Sequence, residues 1–149
     1  MPPPLEPLRP ELREQLVAAA VAVRAHAYAP ASGFLVGAAV LTERGAISVG
    51  CNVENASYGL TVCAERAAVC AAVASGARSL VAVAVVTDLV EPARPCGACR
   101  QVLAEFGRAM HVLLVGRGGV VQQTTLDRLL PEPFTFADIA RSAPDRERS

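Results

Sequence analysis

In Thr61-Val62-Cys63-Ala64-Glu65-Arg66 a potential metal ligand stands two residues before a carboxylate and three before a cation. A second stretch, Pro95-Cys96-Gly97-Ala98-Cys99-Arg100, adds two thiols at the spacing that lets two sulfurs close on one metal across a turn. A lone pair at that spacing serves zinc or redox chemistry. With Cys63 as a third thiol, the set supplies three of the four tetrahedral positions of zinc. His26 and His111 are the only histidines, and neither adjoins a cysteine. Two arrangements follow. In one, the fourth position is open and holds water, as in a catalytic site; in the other, Cys51 or Cys70 closes a structural site. The first is expected, with Cys51 in a strand and Cys70 two turns beyond Cys63 assigned to the core.

Glu65 has two readings. A carboxylate in a first helical turn stabilises the helix dipole. Two residues from a metal ligand it can also move the proton of an activated water, and that role is expected here. Charge adds a constraint. A zinc ion with three thiolates carries a net −1 and activates water poorly unless the sulfurs are compensated. Helix N-termini do part of this. Arg66 is the cation expected to donate hydrogen bonds to the thiolates, and Arg100 is the corresponding candidate beside Cys99.

These residues need elements to bring them together. Pro10 suits the first position of a helix whose apolar stripe is Leu12, Leu16, Ala19, Ala20 and Val23, stopping before Pro30. Phe34 to Leu41 reads as a strand apolar on both faces, turning at Glu43-Arg44-Gly45 into a second strand, Ala46 to Val53. The small residues Gly37, Ala38 and Ala39 imply close packing there, by a helix or a ligand. An Ala-rich helix is expected from Val62 to Ser75, closed by Gly76. Ser79 to Thr87 reads as a central strand, Gly97 to Phe106 as a third helix, and Met110 to Val115 with Val120 to Thr124 as two more strands. Thr125 is placed to cap a short helix through Leu130. If the strands before Cys63 and Cys96 are parallel, both helix N-termini meet at one sheet edge, where open α/β sheets build their sites.

The 149 residues suit one domain, expected over 10–141, with a Pro-rich flexible arm over 1–9 and a disordered charged tail over 142–149. Apolar residues make up 52%, so a packed core is available, and no apolar run reaches the ~20 residues that span a bilayer. Fourteen basic residues balance fourteen acidic ones, which argues against a cationic face for nucleic acid or anionic membrane. The N-terminal residues lack the basic and apolar regions of a signal peptide, so a cytoplasmic location is expected. Five cysteines in a reducing compartment are expected to be metal-binding, catalytic or buried rather than disulfide-linked.

Cys63-Ala64-Glu65 with Pro95-Cys96-Gly97-Ala98-Cys99 has the form of the zinc deaminases. Asn52-Val53-Glu54-Asn55-Ala56-Ser57-Tyr58-Gly59-Leu60-Thr61, Cys96-Gly97-Ala98-Cys99-Arg100-Gln101 and Phe34-x-Val36-Gly37-Ala38-Ala39 resemble the small three-cysteine cytidine deaminases, over roughly Ala27 to Phe134. The resemblance implies a three-layer α/β/α sandwich around a mixed central sheet. It also implies a homotetramer with one Zn²⁺ per subunit, hydrolysing cytidine and 2'-deoxycytidine to the uridines and ammonia in pyrimidine salvage. Carried over to this sequence, Cys63, Cys96 and Cys99 bind zinc, and Glu65 shuttles the proton of a zinc-bound water that attacks C4. Asn52 and Glu54 bind a ribose hydroxyl, and Phe34 and Ala64 contact the substrate. Ala56, Tyr58 and Phe134 face a neighbouring subunit's pocket, so active sites are shared between subunits. Pro30-Ala31-Ser32-Gly33-Phe34 departs from the Pro-Tyr-Ser that often precedes the Phe in that family. The other enzyme reading, a deaminase of another aminopyrimidine nucleoside such as blasticidin S, is disfavoured because those relatives lack the Asn-Val-Glu-Asn-Ala-Ser-Tyr loop. A non-catalytic zinc-stapled oligomerisation module would need neither Glu65 nor Asn52 and Glu54.

Overall fold

In the computed structural model, which describes residues 5–142, the run Leu80-Val81-Ala82-Val83-Ala84-Val85-Val86 forms the central strand, β3, of a five-stranded sheet. The other strands are β1 (Gly37–Thr42), β2 (Ile47–Cys51), β4 (His111–Val115) and β5 (Val121–Thr125), in the order β2-β1-β3-β4-β5. β1 is antiparallel to both β2 and β3, β3 is parallel to β4, and β4 is antiparallel to β5. The sheet is therefore mixed, and β2, β3 and β4 point the same way.

Alternation along the strands builds two cores. Ala39, Leu41, Ala82, Ala84, Val86, Leu113 and Val115 face one side and bury Leu16 and Ala20 of α1 (Pro10–Arg24). Ala38, Val40, Val83, Val85, Val112 and Leu114 face the other, against Ala68, Val69 and Ala72 of α2 (Ala64–Ala74), Leu103 of α3 (Gly97–Phe106) and Leu126 of α4 (Leu126–Leu129). β1, β3 and β4 are buried on both faces, and so read as continuous apolar runs rather than alternating ones. The edge strand β5 carries Gln122 and Gln123 outward instead. The result is the expected three-layer α/β/α sandwich. No helix among the described residues is long and apolar enough to cross a membrane.

The small residues of the first hairpin make room for helices on both faces. A Cβ on Gly37 would run into the backbone carbonyl of Ala20 in α1. A Cβ on Gly50 would meet the backbone of α2 at Ala68 and sit 2.6 Å from the carbonyl oxygen of Ala64. Gly76, at φ +96°, turns the chain out of α2 as expected.

Several boundaries differ from the sequence reading. The first strand begins at Gly37 rather than Phe34, because the Asn52 side chain takes over the pairing there. Its amide donates to the Phe34 carbonyl (2.7 Å) and its oxygen accepts the Val36 N–H (2.8 Å). α1 stops at Arg24, six residues before Pro30. A helix not anticipated from sequence, α5 (Phe136–Ser142), follows the Phe134-Thr135 pair. Asp138 starts it by accepting the Thr135 N–H and hydroxyl, both at 2.8 Å. Thr125 precedes α4, but its hydroxyl donates to the Asp127 carboxylate rather than capping the backbone. Of the proposed N-terminal arm, residues 5–9 are described. Leu8 packs against the α1-side core and the Glu6 carbonyl meets His111 Nε2 at 2.8 Å. The charged tail, Ser142 apart, lies outside the described residues.

Candidate metal and substrate site

Because β2 and β3 run in the same direction, the loops that leave them reach the same sheet edge. The first carries the chain from Asn52 to Cys63 and into α2; the second runs from Thr87 to Cys96 and into α3. Cys63 and Cys96 each occupy the residue before the first helical position, in extended backbone conformation, and Cys99 lies in the first turn of α3, fully buried. Three thiols are thereby placed over two adjacent helix N-termini, where positive partial charge favours thiolate.

The three sulfurs lie within 4.8 Å of one another, with Cys63 and Cys96 4.0 Å apart. Zinc–sulfur bonds of about 2.3 Å put tetrahedral sulfurs ~3.8 Å apart, so the donor set fits zinc with little rearrangement. Among the described residues no further His, Cys, Asp or Glu joins this group. Cys70, expected in the core, is exposed on the outer face of α2, and Cys51 is half-buried at the end of β2. Neither closes the set. Burial pushes the Cys99 thiol strongly up, and the nearby Glu65 charge adds to this. Burial also opposes ionisation of Cys96, but the Cys99 backbone N–H, the Cys99 thiol and the Cys63 thiol outweigh it and hold Cys96 below its ordinary value. Three sulfurs crowded this closely are a donor set that a divalent cation would organise.

Glu65 follows Cys63 by half a turn of α2 and is 5% exposed. Burial raises its pKa, against smaller downward pulls from its own backbone N–H, the Cys99 thiol and the Arg66 charge. The Arg66 guanidinium donates to Cys63 Sγ at 3.7 Å and to the Thr61 carbonyl at 3.0 Å. The Cys63 contact raises its own pKa above the ordinary value. Arg66 Nε and the Thr61 hydroxyl are buried with no hydrogen-bond partner. Arg100 differs from its sequence assignment. It donates to the carbonyls of Pro95 (2.7 Å) and Leu129 (2.9 Å), so it fixes the loop before Cys96 by hydrogen bonds to backbone oxygens.

Beside the thiols opens a cavity of about 270 Å³ lined by Phe34, Asn52, Glu54, Tyr58, Cys63, Ala64, Glu65 and Cys96. Eight of the residues picked out from sequence thus share one pocket. Cys99 lies beneath it among the sulfurs, and Arg66 binds Cys63 from the side. Glu54 is buried, which alone would raise its pKa. The N–H groups of Ser32 and Ala31, the Ser32 hydroxyl and the Tyr58 hydroxyl outweigh that and lower it. Its Oε1 accepts Ala31 N–H (2.9 Å) and Ser32 N–H (3.1 Å), and its Oε2 is met by the Tyr58 hydroxyl at 3.3 Å. Tyr58, assigned by resemblance to a neighbour's pocket, lines the pocket of its own chain. Ala56 and Phe134 are exposed and do not line it.

The pocket is also lined by residues not assigned to the site from sequence: Ser32, Val36, Thr61, Val85, Thr87, Ala93 and Arg94. Thr87 and Val85 lie at the C-terminal end of the central strand, the edge at which such sheets bind ligands, and that position was a usable signal.

The family model described as the cytidine and deoxycytidylate deaminase zinc-binding region matches residues 10–115. A cytidine deaminase of Sporosarcina psychrophila is 48% identical over 131 residues, 87% of this chain and 96% of that protein. One from Halalkalibacterium halodurans is 48% identical over 128 residues, 85% of this chain and 97% of its own length. The crystal structure of cytidine deaminase from Burkholderia pseudomallei matches with a TM-score of 0.78 at 49% identity, covering 81% of this chain and 98% of the other.

Proposed function

The chain belongs to the cytidine and deoxycytidylate deaminase family of zinc proteins, and on that premise we propose that it hydrolyses cytidine and 2'-deoxycytidine to uridine and 2'-deoxyuridine with release of ammonia. The observation that carries the reading is the meeting, in one pocket, of a three-thiol metal site, a buried carboxyl and a polar pair suited to a sugar. Cys63, Cys96 and Cys99 would hold one zinc ion per subunit. When bound, zinc supplies the Lewis acidity that makes water a nucleophile near neutral pH.

The chain's own residues do the rest. Glu65 accepts the proton of the attacking water as the new C4–O bond forms, and delivers it to ring N3. It then takes the proton of the new C4 hydroxyl and passes it to the exocyclic nitrogen, so that the C4–N bond breaks, ammonia leaves and the C4 carbonyl forms. A carboxyl kept from solvent and raised toward neutrality suits both directions of transfer. Arg66 offsets the negative charge of the thiolates through Cys63. Phe34 and Ala64 pack on the base and sugar. Glu54, kept ionised, accepts from a ribose hydroxyl, and Asn52 supports it while fixing the Phe34–Val36 backbone.

The same reading makes the protein a homotetramer in cytoplasmic pyrimidine salvage, with Ala56 and Phe134 reaching a neighbouring site. Exposed apolar residues support assembly. Val53 bridges both Tyr28 and Val62, and these are 45%, 58% and 37% exposed, with Leu60 nearby in sequence at 67%. The test is loss of cytidine ultraviolet absorbance, with ammonia and zinc measured on the same sample, for the wild type and Glu65→Ala. The variant should retain zinc and lose 10²–10⁴-fold or more in turnover. A fully active variant, or a wild type releasing no ammonia, would overturn the assignment.

A further inference from the structure

Phe134 presents a paradox of packing. Its ring is 62% exposed, yet the backbone around it is tightly held. Pro133 before it is buried, and Thr135 after it is fixed by Asp138 at the start of α5. Phe134 itself is gripped by a single side chain from α3. Gln101 Nε2 donates to the Phe134 carbonyl at 2.7 Å, and Gln101 Oε1 accepts the Phe134 N–H at 3.3 Å. An amide that meets both polar groups of one residue copies a strand pairing and fixes position and direction together.

The neighbours of Gln101 extend the grip. Arg100 ties the Leu129 carbonyl to the Pro95 carbonyl, one residue before Cys96, and Arg108 donates to the Pro131 carbonyl at 3.2 Å. The helix that carries Cys99 thus also holds residues 129–134 at two points, through Arg100 and Gln101, and Arg108, just beyond its C-terminus, adds a third. Exposed phenyl rings on free loops are common, but an apolar ring held out toward water by a dedicated two-point clamp has no use in its own chain's core. Water could satisfy both exposed Phe134 backbone groups, so what the clamp adds is a fixed ring position rather than relief of a buried polar group.

We propose that Gln101 is a positioning residue for catalysis: it holds Phe134 as a preset apolar wall for the nucleoside pocket of a neighbouring copy of the chain. The proposal rests on the reading that Phe134 reaches a neighbouring pocket, and deepens it. Without the clamp the ring must be ordered each time substrate binds. Ordering one such side chain and its backbone costs a few-fold to about tenfold in affinity. The effect falls on KM rather than kcat, because Gln101 touches neither the thiols nor Glu65.

The experiment is a double-mutant cycle of Gln101→Ala and Phe134→Ala, reading cytidine KM and kcat, zinc content and melting temperature. Gln101→Met serves as an isosteric second variant that keeps side-chain packing. The expected result is a roughly 5-fold rise in KM for either Gln101 variant, full zinc content, and a double variant no worse than Phe134→Ala alone. If Phe134→Ala raises KM while both Gln101 variants match the wild type, the clamp is dispensable and the proposal fails, though the role of Phe134 stands. Additive effects of the two substitutions would place the action of Gln101 elsewhere and also refute it. If Phe134→Ala leaves KM unchanged, the reading of Phe134 itself falls, and the proposal with it.

Discussion

Replacing Arg66 by Gln tests how the site tolerates three thiolates. The guanidinium lies 3.7 Å from Cys63 Sγ. At the effective dielectric of ~20 suited to a partly buried pair, the gross attraction at that distance is about 4 kcal/mol. Arg66 is only half-buried, so solvent screening and its own desolvation consume much of this. Partners of metal ligands typically contribute 10–100-fold in metal affinity, which is about 1.4–2.8 kcal/mol. We expect Arg66→Gln to weaken zinc binding about 30-fold and to lower turnover, since a more negative centre is a weaker Lewis acid. Competition with a chromophoric chelator gives the affinity, and cytidine turnover at saturating zinc gives the second effect. Arg66→Lys separates charge from geometry. It keeps the cation but cannot span both Cys63 and the Thr61 carbonyl, which the arginine bonds at 3.0 Å. Recovery of zinc affinity in the lysine variant assigns the effect to charge; no recovery assigns it to fixing of the loop before Cys63. A glutamine variant with affinity within twofold of the wild type and unchanged turnover would refute the compensating role.

Gly50→Ala drives a methyl group into the α2 backbone. With no flexible side chain to yield, the cost should be about 3 kcal/mol, seen as a melting temperature ~8 °C lower together with weakened zinc retention, because α2 positions Cys63. Glu54 has a lowered pKa, so its ionised form is favoured in the folded chain. The contribution of that charge is complete above the ordinary Glu value and is lost only as pH falls through the lowered one. Cytidine KM should therefore stay flat from about pH 7 to about pH 5, whereas Glu54→Gln should raise it about tenfold or more at every pH. A KM that climbs already near pH 6 would contradict the assignment. The double variant Cys51→Ser/Cys70→Ser should keep one zinc per chain by metal analysis, since neither thiol joins the cluster. Loss of the metal would revive a closed four-thiolate site.

Spacing made the thiols legible. Two cysteines three residues apart at a helix start, a third at another helix start, and an apolar strand run between them fix a topology in which parallel strands deliver both helices to one edge. The structure has that topology, with β3 beside β4 and β2 in the same direction. What escaped depended on where side chains point. Arg66 stands three residues after Cys63, close to a full turn, whereas Arg100 directly follows Cys99, and a helix turns about 100° per residue. Arg100 therefore aims at the loop carbonyls of Pro95 and Leu129. Cys70 looked apolar by type, yet it falls on the outer face of α2, opposite Ala68 and Ala72. The α5 helix was hidden behind prolines and two aromatics, although Thr135 and Asp138 three residues apart carry a capping signal that reads directly from sequence.

The chemistry and the fold meet at residues with no functional group. Ala64 and Ala68 bring the α2 backbone against β2 at Gly50, and Gly37 does the same for α1 on the opposite face. Close approach of α2 seats Cys63 and Glu65 at the edge where α3 presents Cys96 and Cys99. A side chain at Gly50 would push the α2 backbone off β2, and Cys63 and Glu65 lie at the end of α2 that would shift. Asn52 carries the same logic into the loop. Its amide spends its hydrogen bonds on the backbone of Phe34 and Val36, and so sets the wall of the pocket that the ionised Glu54 also lines. The specificity of the site is thus built from backbone held in place by polar side chains, and substitutions that alter only packing at Gly50 should register in metal affinity before they register in secondary structure.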